Sequence, residues 1–269
     1  MKRFLMIAAM LTLTVSAFAQ AQFTTKKEKL SDFTRKTTKV VLPGPDFIDY
    51  ALREAVRSVW TVSAYEYCTL EEFEALKKSS DYYFLIPTAL EGKKESGMTS
   101  LTLVKGGGRP SEISDMLEVA RIPVCATDSP SGREMAFMPA LTDILQEAAV
   151  AAVKGSRKGV GAVTAGLKAI GDMRVCIAVD DLASGIGAIE AGKIELMDAD
   201  DVDAVFMDGE DAVVSYTVVP DNAGKGSVCY NMLIGARDHR LYYFRKRTMS
   251  SAADAGFSAS EIKAITSRK

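Results

Sequence analysis

The chain contains a single imidazole, at His239. It lies in the polar segment 237–240 between two strand-like runs, where hairpin turns place such residues. A catalytic triad needs its histidine between a nucleophile and a carboxylate, and the neighbouring Asp238 is too close along a turn to orient the ring. One histidine also excludes every mechanism that needs two. We therefore predict a solvated turn at His239, without a catalytic role.

An acidic run is the most conspicuous cluster in the sequence. Carboxylate oxygens suit Ca²⁺, but a loop counted from Asp198 has Asp203 where an EF-hand needs glycine and Gly209 where it needs glutamate. Acidic residues also stabilise the first turn of a helix, which is the interpretation we favour, so no metal ligand is assigned. The run consists of Asp198, Asp200, Asp201, Asp203, Asp208, Glu210 and Asp211.

Two further segments contain residue types that occur in active sites. The stretch 155–166 contains Gly159 and Gly161 but lacks the Lys-Ser/Thr ending of a phosphate-binding loop, and it follows no predicted strand. Ser129 and Ser131 lie in a turn-rich segment without the G-x-S-x-G pattern of a nucleophile elbow. We predict no nucleotide site and a flexible loop around the two serines.

Four cysteines occur in or beside apolar, strand-like runs: Cys68, Cys125, Cys176 and Cys229. Without a C-x-x-C pattern, neither a thioredoxin-type nor a clustered zinc site is indicated. They act either as buried thiols, which we favour, or as structural disulfides, for which three complete pairings exist. The sequence does not select among those pairings.

Aromatic residues cluster at 82–84 and at 242–244, in two predicted strands. Neighbours in a strand face opposite sides, so one ring of each cluster is expected to enter the core while another faces outward. The outward rings, with the basic residues 245–247, are a candidate contact surface for a protein or a glycan. Packing within the fold is the interpretation we favour.

Composition and the amino-terminal segment bear on class and location. The 33 basic and 35 acidic residues give a net charge of −2, which argues against general nucleic-acid binding. Lys2 and Arg3 precede an apolar stretch of about twelve residues, too short to span a bilayer, and a small-residue site ends at Ala19. We predict a signal peptide over 1–19, cleaved after Ala19, a flexible leader over 20–39, and a periplasmic or secreted bacterial protein.

The remaining chain reads as two α/β modules, over 40–136 and 137–269. In the first, a helix at 46–59 and a strand at 60–68 precede Thr69 and Glu72, a capping box for a short helix. Strands at 82–90 and 98–104 follow, and the bridge contains a helical turn at 112–119 and a strand at 122–126.

The second module repeats this plan at a constant offset of 129. Asp198 and Asp201 take the places of the capping pair, and 141–152 repeats the apolar spacing of the helix at 46–59. Strands are expected at 175–179, 193–197, 212–219, 227–234 and 241–247. An internal duplication explains this correspondence, and the alternative is two unrelated halves with generic helix and strand signals.

The order of helix, strand, capped helix and hairpin resembles a known kind of module. The segments 46–59, Thr69–Glu72 and 82–104 are similar to the amino-terminal domain of the translocation protein TolB and to the periplasmic domain of curli-secretion-type channels. The resemblance implies envelope assembly or protein–protein contact without catalysis. This chain lacks the propeller repeats and membrane-barrel segments of those proteins, so no functional residue is carried over.

We therefore expect an α/β fold with mixed sheets in two related lobes, each built as helix, strand, helix and hairpin. The leading hypothesis is a non-catalytic binding or envelope-assembly protein, whose partner is another envelope protein or a glycan. The alternative is a hydrolase that uses paired carboxylates between the lobes. No catalytic, cofactor-binding or metal-ligating residue is assigned, and no cofactor is expected.

Overall fold

The computed structural model describes residues 30–44, 47–89, 94–155, 159–186 and 194–268. Within these residues, five α-helices and two five-stranded mixed sheets form an α/β fold, which confirms the predicted class. The predicted signal peptide and the first part of the predicted leader lie outside the described residues.

Sheet 1 is built by the first half of the chain in the order β2-β1-β3-β4-β5. The first three strands in this order are parallel, and β3, β4 and β5 are joined as antiparallel neighbours. The helices alternate with the parallel strands, which need long crossover connections. The elements are β1 (Thr37–Leu42), α1 (Phe47–Val59), β2 (Tyr65–Thr69), α2 (Leu70–Leu76), β3 (Tyr82–Ala89), β4 (Met98–Lys105) and β5 (Leu117–Ala126).

Sheet 2 has the same architecture in the second half, in the order β10-β9-β8-β6-β7. Strands β7, β6 and β8 are parallel, and β8, β9 and β10 are antiparallel. A long helix precedes the sheet and a short one follows it. The elements are α3 (Arg133–Val153), β6 (Arg174–Ala178), β7 (Glu195–Met197), α4 (Ala199–Met207), β8 (Ala212–Val218), β9 (Val228–Gly235), β10 (Leu241–Thr248) and α5 (Ala259–Thr266).

The residue pairing of the two sheets corresponds strand by strand. Lys39 pairs with Glu66 and Phe84, as Cys176 pairs with Glu195 and Val214. The hairpins agree too, since the Phe84–Val104 and Ile86–Thr102 pairs match Val214–Ile234 and Tyr216–Met232. The pairing of β4 with β5 shifts register between Leu103 and Val104, and the pairing of β9 with β10 shifts at the corresponding residues, Leu233 and Ile234. Shared strand order alone is common among α/β folds, but shared register supports an internal duplication.

The structure corrects the alignment in two respects. Strand β2 keeps the offset of 129, whereas β3 and β4 need one residue more. The helix 141–152 is also not the counterpart of 46–59, because α1 connects β1 to β2 while α3 precedes β6. Between β6 and β7, the described residues contain only a 3-10 turn at Val179–Asp181. The shared apolar spacing shows that each helix buries one face, but it does not show which strands the helix connects.

One hydrophobic core joins the two sheets through α3. The same cluster contains Leu103 of sheet 1 and Ile234 of sheet 2, with Leu141 and Ile144 of α3 between them. By length and composition, α3 is one described helix that is apolar enough to cross a membrane. More than half of its apolar window is buried against α1, β5 and α4, and a helix buried on several sides is apolar all round.

Several predicted boundaries were wrong. The leader was expected to be flexible through residue 39, but Phe33 is fully buried and β1 begins at Thr37. The strand expected over 60–68 begins only at Tyr65, and the helical turn at 112–119 is a 3-10 turn over Ile113–Asp115 followed by β5. The boundary between positions 136 and 137 lies inside α3. In the predicted leader, the packing of Phe33 against Trp60 and Tyr83 overrides the polar local pattern.

Candidate functional site

An open groove crosses one face of sheet 1, with a cavity volume of about 670 Å³. It begins at the carboxyl ends of β1 and β3. From β1 the chain continues through α1 on one face of the sheet, and it reaches β3 through α2 on the other face. Ligand sites of open α/β sheets lie at such points. We call this cavity the sheet 1 groove. The residues that line it include Pro43 and Leu70 at the strand ends, Glu74 of α2, Ile86 and Thr88 of β3, Thr102 and Val104 of β4, residues 111–114 and Met116 of the connection to β5, and Glu118 and Arg121 of β5.

The floor of the groove combines apolar and hydroxyl groups. Ile86 and Val104 belong to a buried cluster beneath α2. Further along, the hydroxyls of Thr88 and Thr102 are 2.7 Å apart, and Thr88 also donates to the backbone oxygen of Ser100 at 3.3 Å. Both hydroxyls are therefore satisfied within the floor.

Acidic side chains dominate the charged part of the groove lining. Glu74 pairs with Lys77 at 2.6 Å, and Lys77 also donates to the backbone oxygen of Ser111 at 2.8 Å, which fixes the segment 111–116. Glu118 lies 3.6 Å from Arg121. The side chains of Glu74 and Glu118 are about half exposed, at 54% and 53%, so both are accessible to a further cation.

A second cavity of about 860 Å³ adjoins the groove at Pro43 and Leu70. Tyr50 of α1 lines it, and Phe47 lies one turn before Tyr50 on the same helix. Phe47, Tyr50 and Leu70 are exposed, although large apolar side chains favour burial. An exposed apolar rim beside a cleft is typical of a surface that contacts another protein.

The counterpart of the groove in sheet 2 is filled by α3. By the shared register, Tyr216 stands in the place of Ile86, and the Phe137 ring of α3 stacks on it with centroids 4.5 Å apart. Asp203 of α4 aligns with Glu74 at the offset of 129, and it accepts a hydrogen bond from Arg133 Nε at 2.8 Å. The two sheets thus differ in whether this face is covered.

Arg133 connects three elements at the carboxyl end of sheet 2. Its guanidinium also donates to Asp181 at 3.0 Å and to the backbone oxygen of Ser215 at 3.0 Å, and the Ser215 hydroxyl donates to Asp181 at 2.6 Å. Burial raises the pKa of the Asp203 carboxyl, and Arg133 only partly opposes this. These carboxylates converge on a cation, so they do not form a free acid–base pair.

His239 lies in a turn, as predicted, but it is not simply solvated. Its ring stacks on Phe206 with centroids 5.8 Å apart, and Nδ1 is 3.5 Å from the Asp143 carboxylate of α3. Its side chain is 25% exposed. Its positive φ of 55° fits a tight turn. The prediction missed these contacts because α3 is distant in sequence.

The acidic run begins a helix, as expected, but its members have separate partners. Asp198 precedes α4 without a side-chain capping bond, so the predicted capping pair in the second module was wrong, whereas Thr69 and Glu72 form the predicted box. Glu210 pairs with Arg174, and Asp211 with Arg237. Among the described residues, no group of three potential metal ligands converges.

The predicted serine loop is held by hydrogen bonds. Ser129 donates to Asp221 of the opposite hairpin, and Ser131 donates to Glu134 at 3.0 Å. Within the stretch 155–166, residues 156–158 lie outside the described part, and the described remainder contains a 3-10 turn at Val160–Val163.

All four cysteines are buried thiols in the structure, in agreement with the favoured interpretation. Burial raises the pKa of Cys68, Cys176 and Cys229 to about 11. A thiol with so high a pKa is a poor nucleophile at neutral pH. The cysteines therefore act as small core residues.

The aromatic clusters are packed on both faces of their sheets. Tyr83 and Phe84 are fully buried on opposite faces, and Tyr242 is buried while Tyr243 and Phe244 are partly buried. The expectation that one ring of each cluster faces outward was wrong, because helices or terminal segments cover both faces. The candidate contact surface at 242–247 is correspondingly reduced.

Comparisons of the chain with protein-family models, curated proteins and solved structures return no significant match. The sequence reasoning also missed both the sheet 1 groove and the Arg133 cluster. Their residues come from helices, strands and loops that are far apart in the chain, and each fits an ordinary local pattern. The hydroxyl residues Thr88 and Thr102, each within a predicted strand, are an available signal.

Proposed function

We propose that this chain is a non-catalytic binding protein that engages another protein of the bacterial envelope through the sheet 1 groove. The observation that carries the proposal is the open groove itself. The equivalent face of sheet 2 is covered by α3, whereas this face of sheet 1 retains an open cavity of about 670 Å³. Its floor combines the buried side chains of Ile86 and Val104 with the hydroxyls of Thr88 and Thr102. The apolar segment 4–15 and the site ending at Ala19 support export across the inner membrane.

The surroundings of the groove support a protein partner. Protein interfaces combine an apolar centre with a polar rim. Pro43, Leu70 and Ile113 provide accessible apolar surface in the groove, and Leu70 extends it toward the second cavity. Glu74 and Glu118 provide charged groups around it. Among the described residues that line the groove there is no histidine or cysteine, and the hydroxyls of Ser111 and Ser114 donate to Asp115 and Glu112 within one turn, so binding is the function that these residues support best.

Site-specific photo-cross-linking in the native host tests this proposal. A photoreactive amino acid at Thr88 places the reactive group in the groove, and the same residue at Met207 provides an exposed apolar control on α4. We expect a discrete cross-linked species from Thr88 that Met207 does not give. No adduct from Thr88, or the same adducts from both positions, contradicts the proposal.

A further inference from the structure

We infer that the chain forms a symmetric dimer in which the outer edges of strand β2 from two copies pair as antiparallel strands. This inference goes beyond the proposed function and does not depend on it. Among the described residues, β1 is the one strand that neighbours β2. Because the backbone oxygen of Ala64 accepts a hydrogen bond from Thr38 of β1, the backbone groups of Tyr65 and Tyr67 point away from the sheet. No described residue bonds these outward groups.

The edges of β5 and β10 carry features that block strand pairing. Strand β5 contains Pro123, and the backbone oxygen of Val124 accepts a hydrogen bond from the Tyr216 hydroxyl at 2.6 Å. In β10, the backbone oxygen of Leu241 accepts a bond from Ala165 at 2.8 Å, and exposed basic residues follow in the strand. Proline, charged side chains and covered backbone groups are the usual protections of an edge strand.

Strand β2 has none of these protections. It contains neither proline nor a basic residue, and its register with β1 runs without a bulge from Tyr65 to Thr69. Its one charged side chain, Glu66, is paired with Lys39 of β1. An edge strand of this kind is a template for pairing with another strand.

The backbone groups of this edge are complementary to those of a second copy. When the two-fold axis passes at Tyr67, the two Tyr67 residues exchange both of their backbone hydrogen bonds. Tyr65 then donates its N–H to the backbone oxygen of Thr69 in the second copy. The Thr69 N–H already donates to Glu72 Oε2 at 2.8 Å, so this donor takes no part.

The side chains of the edge favour this position of the axis. It places each Glu66 opposite the uncharged Cys68 of the other copy, whereas an axis at Glu66 opposes two carboxylates, which destabilises a strand pair. It also brings together the two Tyr67 rings, and aromatic cross-strand pairs are stabilising. Each ring is already held in place, since its hydroxyl donates to the Arg53 backbone oxygen at 2.9 Å and the Arg53 guanidinium lies over it at 4.4 Å. Little side-chain freedom is therefore lost on association.

Disulfide trapping tests the dimer and its register. The probe is the chain without its predicted signal peptide, oxidised in solution and separated on a non-reducing gel. We expect Tyr67→Cys to give a covalent dimer, because the Cα atoms of a directly opposed, hydrogen-bonded pair lie about 5.5 Å apart, within the range of a disulfide. Tyr65→Cys is the matched control, since its two positions lie about 14 Å apart in this register, too far to be linked. The unaltered chain is expected to give no covalent dimer, because its cysteines are buried.

Sedimentation velocity measures the association itself. We expect the unaltered chain to dimerise reversibly between micromolar and millimolar concentration. Tyr67→Lys is expected to raise the dimer dissociation constant at least about fivefold, because it opposes two cations across the axis. Tyr67→Phe keeps the ring and is expected to stay within about twofold of the unaltered chain. If thermal unfolding shows that the lysine variant does not fold, the two cysteine variants decide the question.

The inference is overturned by a monomer at every concentration, by the absence of a covalent dimer from Tyr67→Cys, or by equal amounts of covalent dimer from both cysteine variants. None of these results contradicts the proposed function, because cross-linking from Thr88 measures the binding of a partner to the groove and not the pairing of β2.

Discussion

At the scale of single residues, burial decides which groups are reactive. The thiols of Cys68, Cys176 and Cys229 have raised pKa values because they are buried. The Asp181 and Asp203 carboxylates bind Arg133. We predict that none of the four cysteines reacts with iodoacetamide at pH 8 in the folded protein and that all four react in denaturant, as counted by intact mass. A thiol count below four in denaturant without reductant contradicts this prediction and indicates a disulfide.

Asp32 supplies a second prediction at this scale. Burial raises its pKa, but hydrogen bonds from Lys105, Tyr83 and Lys36 outweigh this, so the pKa of the carboxyl is lowered overall. A lowered folded-state pKa contributes stability above the unfolded value near 4 that is lost as the pH falls. We expect Asp32→Asn to lower the unfolding free energy by about 1.5–3 kcal/mol at pH 7 and by less at pH 3.

Chemical denaturation at the two pH values measures this difference. Asp208→Asn removes an exposed carboxylate and is expected to change stability by less than about 0.5 kcal/mol. An equal loss for Asp32→Asn at both pH values is the contrary result, because it assigns the effect to packing and not to ionisation.

At the scale of elements, α3 is attached to sheet 2 through Arg133. Replacing one partner of a buried ion pair leaves the other charges unpaired, at a cost of about 3–5 kcal/mol. We therefore expect Arg133→Met to destabilise the protein by this amount in urea unfolding, because Asp181 and Asp203 lose their shared cation. The exposed Arg57→Met change on α1 is the control. A loss below about 1 kcal/mol for Arg133→Met shows that α3 is held by apolar packing alone.

The same scale shows how much the sequence predicts. The capping box at Thr69 and Glu72 and most strand positions follow from local residue patterns, and both are found. The assignment of 141–152 as a copy of 46–59 was wrong. An apolar stripe shows that one face of a helix is buried, but it does not show which elements that face packs against. Strand register was also inaccessible, since it depends on contacts between distant segments.

At the scale of the whole molecule, one structural plan is used twice with different coverings. In sheet 2, α3 covers the face that bears α4, and the carboxyl-terminal segment with α5 packs on the other face. In sheet 1, α1 and α3 cover one face, and the face bearing α2 retains the groove. The groove was not predictable from the sequence, because it arises where a covering helix is present in one unit and absent from the other.

Cysteine footprinting in cells measures directly whether this groove is occupied. Because the native cysteines are buried, a cysteine placed at Leu70 or Thr88 provides the accessible thiol, and one at Met207 provides the control. We predict that maleimide labels all three positions in the purified protein, but only position 207 in cells of the native host. Equal labelling of positions 70 and 88 in cells and in the purified protein contradicts the account.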